Sequence, residues 1–129
     1  MMTNSRQVLG KWGETQAAEY LVRRGYQILA RNVRTPYGEL DLIAQTGTGA
    51  TQELVFVEVK TRASQSFGPP EVAVDARKQA HLIASAEHYL SLLETLPTIW
   101  RIDVIAIQQK SPPTEFELIH FENAVTESP

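Results

Sequence analysis

The sequence has no cysteine, which excludes disulfides, thiolate zinc sites and iron–sulfur clusters and makes the cytoplasm the expected compartment. It also lacks any segment approaching the roughly 18 apolar residues that a membrane span needs, so no membrane partner is expected. No apolar stretch follows the opening Met1-Met2-Thr3-Asn4-Ser5-Arg6, so no signal peptide is expected. Basic residues are missing after Lys110, where Glu115, Glu117, Glu122 and Glu127 follow. The histidines His81, His88 and His120 have neither a triad context nor metal-ligand spacing, and read as structural or surface residues.

What is present fits one ordinary domain over residues 1–129, with a core from about residue 5 to 122 and a tail expected to fray. The balance of 43% hydrophobic and 21% charged residues is that of a globular chain. A net charge of −3 argues mildly against a nucleic-acid partner, because phosphate binding rests on Lys and Arg. The distribution softens that objection. Residues 1–37 carry Arg6, Lys11, Arg23, Arg24, Arg31 and Arg34 against only Glu14 and Glu19, so a local positive surface can form.

Apolar residues at helical spacing predict a helix from about Ser5 to Arg24, stopped by Gly25. Strands are predicted over Tyr26–Arg34, Glu39–Gln45 and Glu53–Arg62, the last with the dense β-branched and aromatic run Leu54-Val55-Phe56-Val57. A Ser-, Gly- and Pro-rich loop, Ala63 to Pro70, precedes a helix capped by Asp75 and reaching about Glu94. Strands over Ile99–Gln109 and Phe116–Phe121 close the chain, and Trp12 and Trp100 read as core. The third strand, long helix and fourth strand form a crossover that makes those strands parallel, while the hairpins add antiparallel pairs. The predicted class is therefore α/β, a mixed β-sheet flanked by helices.

Alternation along the third strand puts Glu58, Lys60 and Arg62 on one side. Along the second it puts Glu39 and Asp41 on one face, and Leu40 and Leu42 on the other. If these strands are hairpin neighbours, Asp41 lies close to Glu58. Two carboxylates so placed repel, and a hard, oxygen-loving cation, Mg2+ or Mn2+, is the natural resolution. Lys60 would position water or stabilise charge developing on a phosphate, and Glu14 on the first helix would complete the metal environment. Glu39 reads equally as a ligand or as a surface carboxylate beside a turn. Arg34, Arg62, Arg77 and Lys78 are candidates for gripping a nucleic-acid backbone, with solvated or capping roles as the simpler alternative.

The order Asp41, then Glu58-x-Lys60 on the next strand, resembles the PD-(D/E)xK nuclease superfamily of restriction endonucleases and archaeal Holliday junction resolvases. More closely, the chain resembles the YraN-type family of endonuclease-related proteins. The matching stretches are Gly10-Lys11-Trp12-Gly13-Glu14, Arg31-Asn32-Val33-Arg34, Gly38-Glu39-Leu40-Asp41-Leu42-Ile43, Phe56-Val57-Glu58-Val59-Lys60-Thr61-Arg62, Gly68 to Leu82, and Arg101-Ile102-Asp103-Val104. The superfamily's proline before its aspartate is replaced here by Leu40. The resemblance implies a restriction-endonuclease-like core, Asp41, Glu58 and Glu14 as metal ligands, and Lys60 as the catalytic lysine. It implies a Mg2+- or Mn2+-dependent DNA endonuclease, with branched or damaged DNA as the substrate suggested by the resolvase analogy. The alternative is a non-catalytic nucleic-acid-binding or scaffolding protein that retains the fold. A homodimer is left open.

Overall fold

The computed structural model describes residues 5–64, 74–112 and 114–126. In chain order they form α1 (Ser5–Arg23), β1 (Gln27–Thr35), β2 (Gly38–Thr46), a short 3-10 turn (Gly49–Thr51), β3 (Glu53–Arg62), α2 (Ala76–Ser91), β4 (Ile99–Gln109) and β5 (Phe116–Phe121). The strands make one five-stranded sheet in the order β1-β2-β3-β4-β5. Only β3 and β4 run parallel; the other neighbours are antiparallel. The fold is α/β, a mixed sheet with a helix on each face, as the sequence predicts. The expected loop lies outside the described residues beyond Ser64.

β3 is central, and residues 54–58 are buried throughout. Its side chains alternate between two cores. Val55 and Val57 join Ala17 and Leu21 of α1, together with Leu42, Ile105 and Ile107. Leu54 and Phe56 join Leu82, Ala86 and Leu90 of α2, together with Ile43, Ile102 and Val104. Burial on both faces explains why this strand reads as a continuous apolar run.

The stripe by which α1 meets the sheet is narrow and begins with small residues: Gly13 and Ala17 are buried together with Leu21, while Val8 and Val22 are exposed. A Cβ on Gly13 would lie 1.9 Å from Thr61 Oγ1, so the helix backbone rests directly on the end of β3. The helix stops in a Schellman arrangement. Gly25 takes φ +91°, its N–H reaches Val22 O at 3.0 Å, and the Tyr26 N–H reaches Leu21 O at 2.9 Å. On the other face, Asp75 caps α2 by accepting from the Lys78 N–H at 2.8 Å, which fixes Lys78 in the first turn. α2 ends at Ser91, short of the expected Glu94, where the Ser91 hydroxyl donates back to His88 O at 2.6 Å.

One expectation is corrected. Leu40 and Leu42 do not share a face: Leu40 belongs to the α2-side core and Leu42 to the α1-side core. Pairing of β2 with β3 runs from Thr46↔Glu53 to Leu42↔Val57 and goes no further. Regular alternation, which assumes an unbroken ladder, therefore fails at Asp41.

Candidate metal centre

Asp41 stands where β2 parts from β3. Its Oδ2 accepts a hydrogen bond from the Val59 N–H at 2.8 Å, in place of a backbone acceptor on the neighbouring strand. Glu58, one residue earlier on β3, is only 4% exposed. The two carboxyl groups meet. Burial and then the charge of Glu58 push the Asp41 pKa up to about 8, only partly offset by the Val59 N–H. Glu58 Oε2 faces the Lys78 ammonium at 3.4 Å. Its Oε1 is buried with no hydrogen-bond donor among the described residues.

On the α1 side of Asp41, Glu14 and Glu39 complete an acidic group. One carboxylate oxygen each from Glu14, Glu39 and Asp41 lie within 4.8 Å of one another. Glu14 is carried there by the close seat of Gly13 on Thr61. Burial raises the Glu14 pKa, the Asn32 N–H opposes that rise, and the Asp41 charge adds to it. Asn32 Nδ2 donates to Glu14 Oε1 at 3.0 Å and to Glu39 Oε1 at 3.2 Å. The acidic cluster offers oxygen donors alone and could bind a divalent cation. Glu39, for which the sequence left two readings open, is thus beside Asp41.

An open groove of about 1050 Å³ brings together Glu14, Asp41, Lys60 and Arg62, with Arg6 and Trp12 of α1 along its wall. Lys60 is half-buried and stands opposite Ala106 in the β3–β4 register. Arg34 lies apart, 91% exposed and 3.9 Å from Glu39 Oε2. Lys78, read from the sequence as a backbone contact, directs its ammonium at Glu58 while the side chain stays 41% exposed.

A second buried polar group lies on β4. Asp103 is fully buried, and its oxygens accept from Arg101 Nε at 3.0 Å, Arg101 Nη2 at 3.2 Å and the Asn123 N–H at 2.8 Å, with His120 Nε2 at 2.7 Å. The ring continues to Tyr20, whose hydroxyl is 3.1 Å from His120 Nδ1. Arg101 also pairs with Glu53 and donates to the Tyr26 hydroxyl at 2.6 Å. Burial alone would raise Asp103, but the hydrogen bonds from His120, Arg101 and Asn123 outweigh it and hold the group below the usual carboxylate range. This network ties β5 and the end of α1 to the sheet. Its sequence signal is a lone carboxylate within the apolar run Ile102 to Ile107, which needed a buried partner.

The family model described as "Uncharacterised protein family UPF0102" matches residues 13–107. A UPF0102 protein of Syntrophotalea carbinolica is 45% identical over 123 residues, covering 95% of each chain. One of Roseiflexus castenholzii is 42% identical over 129 residues, covering 98% of this chain and 100% of its own. One of Symbiobacterium thermophilum is 49% identical over 104 residues, covering 81% of this chain and 84% of its own. Among solved structures, Pyrococcus furiosus SfsA in complex with Ca2+ aligns with 95% of this chain and 65% of its own, at 14% identity and a TM-score of 0.39, a distant likeness.

Proposed function

The chain belongs to the UPF0102 family, the YraN-type family its motifs resemble, and from the site's geometry we propose that it is a Mg2+- or Mn2+-dependent nuclease acting on DNA phosphodiesters. The observation that carries this reading is the meeting of Asp41 and Glu58. Two carboxyls meet at a buried strand end, one with its pKa pushed up to about 8 and the other with a buried oxygen that has no donor among the described residues, and a cation held between them would relieve both. The donors present are carboxylate oxygens, which suit a hard cation rather than zinc or copper.

In this reading Asp41 and Glu58 hold the cation, and Glu14 supports it from the α1 side. When bound, the cation would polarise a phosphoryl oxygen and lower the pKa of a coordinated water. Lys60, which lines the same groove as Asp41, has donors and no lone pair while protonated, so it serves the phosphate or the attacking water rather than the metal. Arg62, which lines the groove, and the exposed Arg34 beside Glu39 would supply contacts to the DNA backbone in this reading. Lys78 neutralises Glu58 in the metal-free protein and can turn toward phosphate through its exposed end.

The test is a cleavage assay with Mn2+ or Mg2+ on duplex, single-stranded, flap and four-way junction DNA, comparing wild type with Lys60→Ala. The substitution should leave Mn2+ affinity near wild type and lower cleavage by about 10² or more, the scale for losing one preorganised electrostatic group. DNA binding without cleavage of any substrate by the wild type would favour a non-catalytic binding protein. Cleavage at full rate by Lys60→Ala would sink the proposed site.

A further inference from the structure

We infer that Asn32 is the positioning residue of the acidic cluster, its side-chain amide drawing Glu14 and Glu39 together beside Asp41 and so preforming the metal's seat. This rests on the reading above that the cluster takes a divalent cation. Asn32 lies on β1 between the pairs Arg31↔Leu42 and Val33↔Leu40, which sets it across from Asp41. Its φ of 51° is in the left-handed region, which a β-strand interior does not use and which non-glycine residues enter at a cost. Asn is among the side chains that tolerate it best.

Local strain persists only where surrounding contacts hold it. Here Nδ2 bonds Glu14 Oε1 at 3.0 Å and Glu39 Oε1 at 3.2 Å, while Oδ1 accepts from Lys11 Nζ at 3.4 Å. An amide nitrogen carries two N–H donors, and both are used on carboxylates from different elements, α1 and β2. Each bond engages Oε1; Glu39 Oε2 faces Arg34 Nε at 3.9 Å, and Arg31 Nη2 stands 4.0 Å from Glu14 Oε1. That a ligand is meant to be present has an independent mark. Glu58, 4% exposed and meeting the Asp41 carboxyl, has a buried oxygen with no donor among the described residues. The amide is thus a neutral stand-in for part of the cation's work, gathering two acids that would otherwise splay.

Two substitutions that also accept a left-handed backbone separate this role from a merely structural one. Asn32→Gly adopts φ 51° without strain, so it should unfold within a few degrees of wild type in EDTA; it should bind Mn2+, followed by calorimetry, about tenfold more weakly. Asn32→Asp keeps the shape but adds a carboxylate. It should melt lower than wild type in EDTA and recover more than wild type on adding Mn2+. Wild-type Mn2+ affinity in Asn32→Gly, or no Mn2+-dependent recovery in Asn32→Asp, would overturn the assignment. A wild type that binds no Mn2+ would defeat the metal reading itself and this inference with it, an outcome distinct from a wild type that binds and a glycine variant that matches it.

Discussion

Asp41 occupies with its side chain the hydrogen bond that a regular β2–β3 ladder would give to backbone: its Oδ2 holds the Val59 N–H at 2.8 Å, just beyond the last ladder pair, Leu42↔Val57. The carboxylate is thereby pinned by one oxygen and turned against Glu58. The fold carries a local break in its sheet, and the acids gather at that break.

The raised Asp41 pKa has a definite sign in pH experiments. An aspartate that titrates near 3.8 when unfolded and at about 8 when native keeps its proton longer in the folded state. Between those values the native protein binds the extra proton, so metal-free stability should fall as pH rises from about 4 to 8. Asp41→Asn keeps an acceptor for Val59 and removes the charge, so its melting temperature should not show this decline. Since Mn2+ must displace the proton, wild-type affinity should rise by up to about tenfold per pH unit below 8 and then level off. Thermal melts in EDTA and Mn2+ titrations across pH 5–9 check both; a pH-independent Mn2+ affinity would contradict the assignment.

Lys78 and Glu58 form a pair of unequal members, one 41% exposed and the other 5%. Lys78→Met should destabilise the metal-free protein by about 1–2 kcal/mol, less than a fully buried pair would give because the lysine is solvated. Most of that loss reflects Glu58 left buried without a counter-charge. Glu58→Gln should therefore cost less in the Lys78→Met background than in wild type. Denaturant unfolding of the four proteins in this cycle gives the coupling, and additive effects would show that the contact is idle.

At the other buried acid, Asp103→Asn should lower stability by about 3 kcal/mol, because Arg101 and His120 both lose a charged acceptor inside the protein. Depression of the Asp103 pKa fixes the pH window. Its contribution is present above about pH 4 and is lost as pH falls through the lower native value. Acid unfolding of Asp103→Asn should thus be less steep than that of wild type. Mn2+ affinity should be unchanged, since Asp103 is outside the acidic cluster; calorimetry showing a large drop would tie the two groups together.

How legible the molecule was depends on the range of each contact. β3 and β4 announce themselves because strands buried on both faces must be apolar almost throughout, and Gly25 and Asp75 mark helix ends by local hydrogen bonding. The nearness of Asp41 to Glu58 follows from hairpin order alone. The crossing of faces at Leu40 does not, because period-two reasoning has no term for a ladder that stops. Neither the Lys78–Glu58 contact nor the role of Asn32 could be read, since one depends on where α2 begins in space and the other on a single backbone angle. Asp103 stands out as a charge within an apolar strand, but its partners His120 and Asn123 come from β5 and the turn after it, and the Tyr20 hydroxyl that meets His120 lies 100 residues away from it in sequence.

The sheet's spatial order is also its chain order, with one crossover between β3 and β4. For a chain emerging N-terminus first, this means that the strands can be laid down as they appear, without threading. Glu14, Glu39, Asp41 and Glu58 would all be available while Lys78 and β4 were still to come. α2 then brings the Lys78 ammonium to Glu58, and β4 and β5 follow to complete the sheet, so the buried acid meets its counter-charge before the last two strands are laid down.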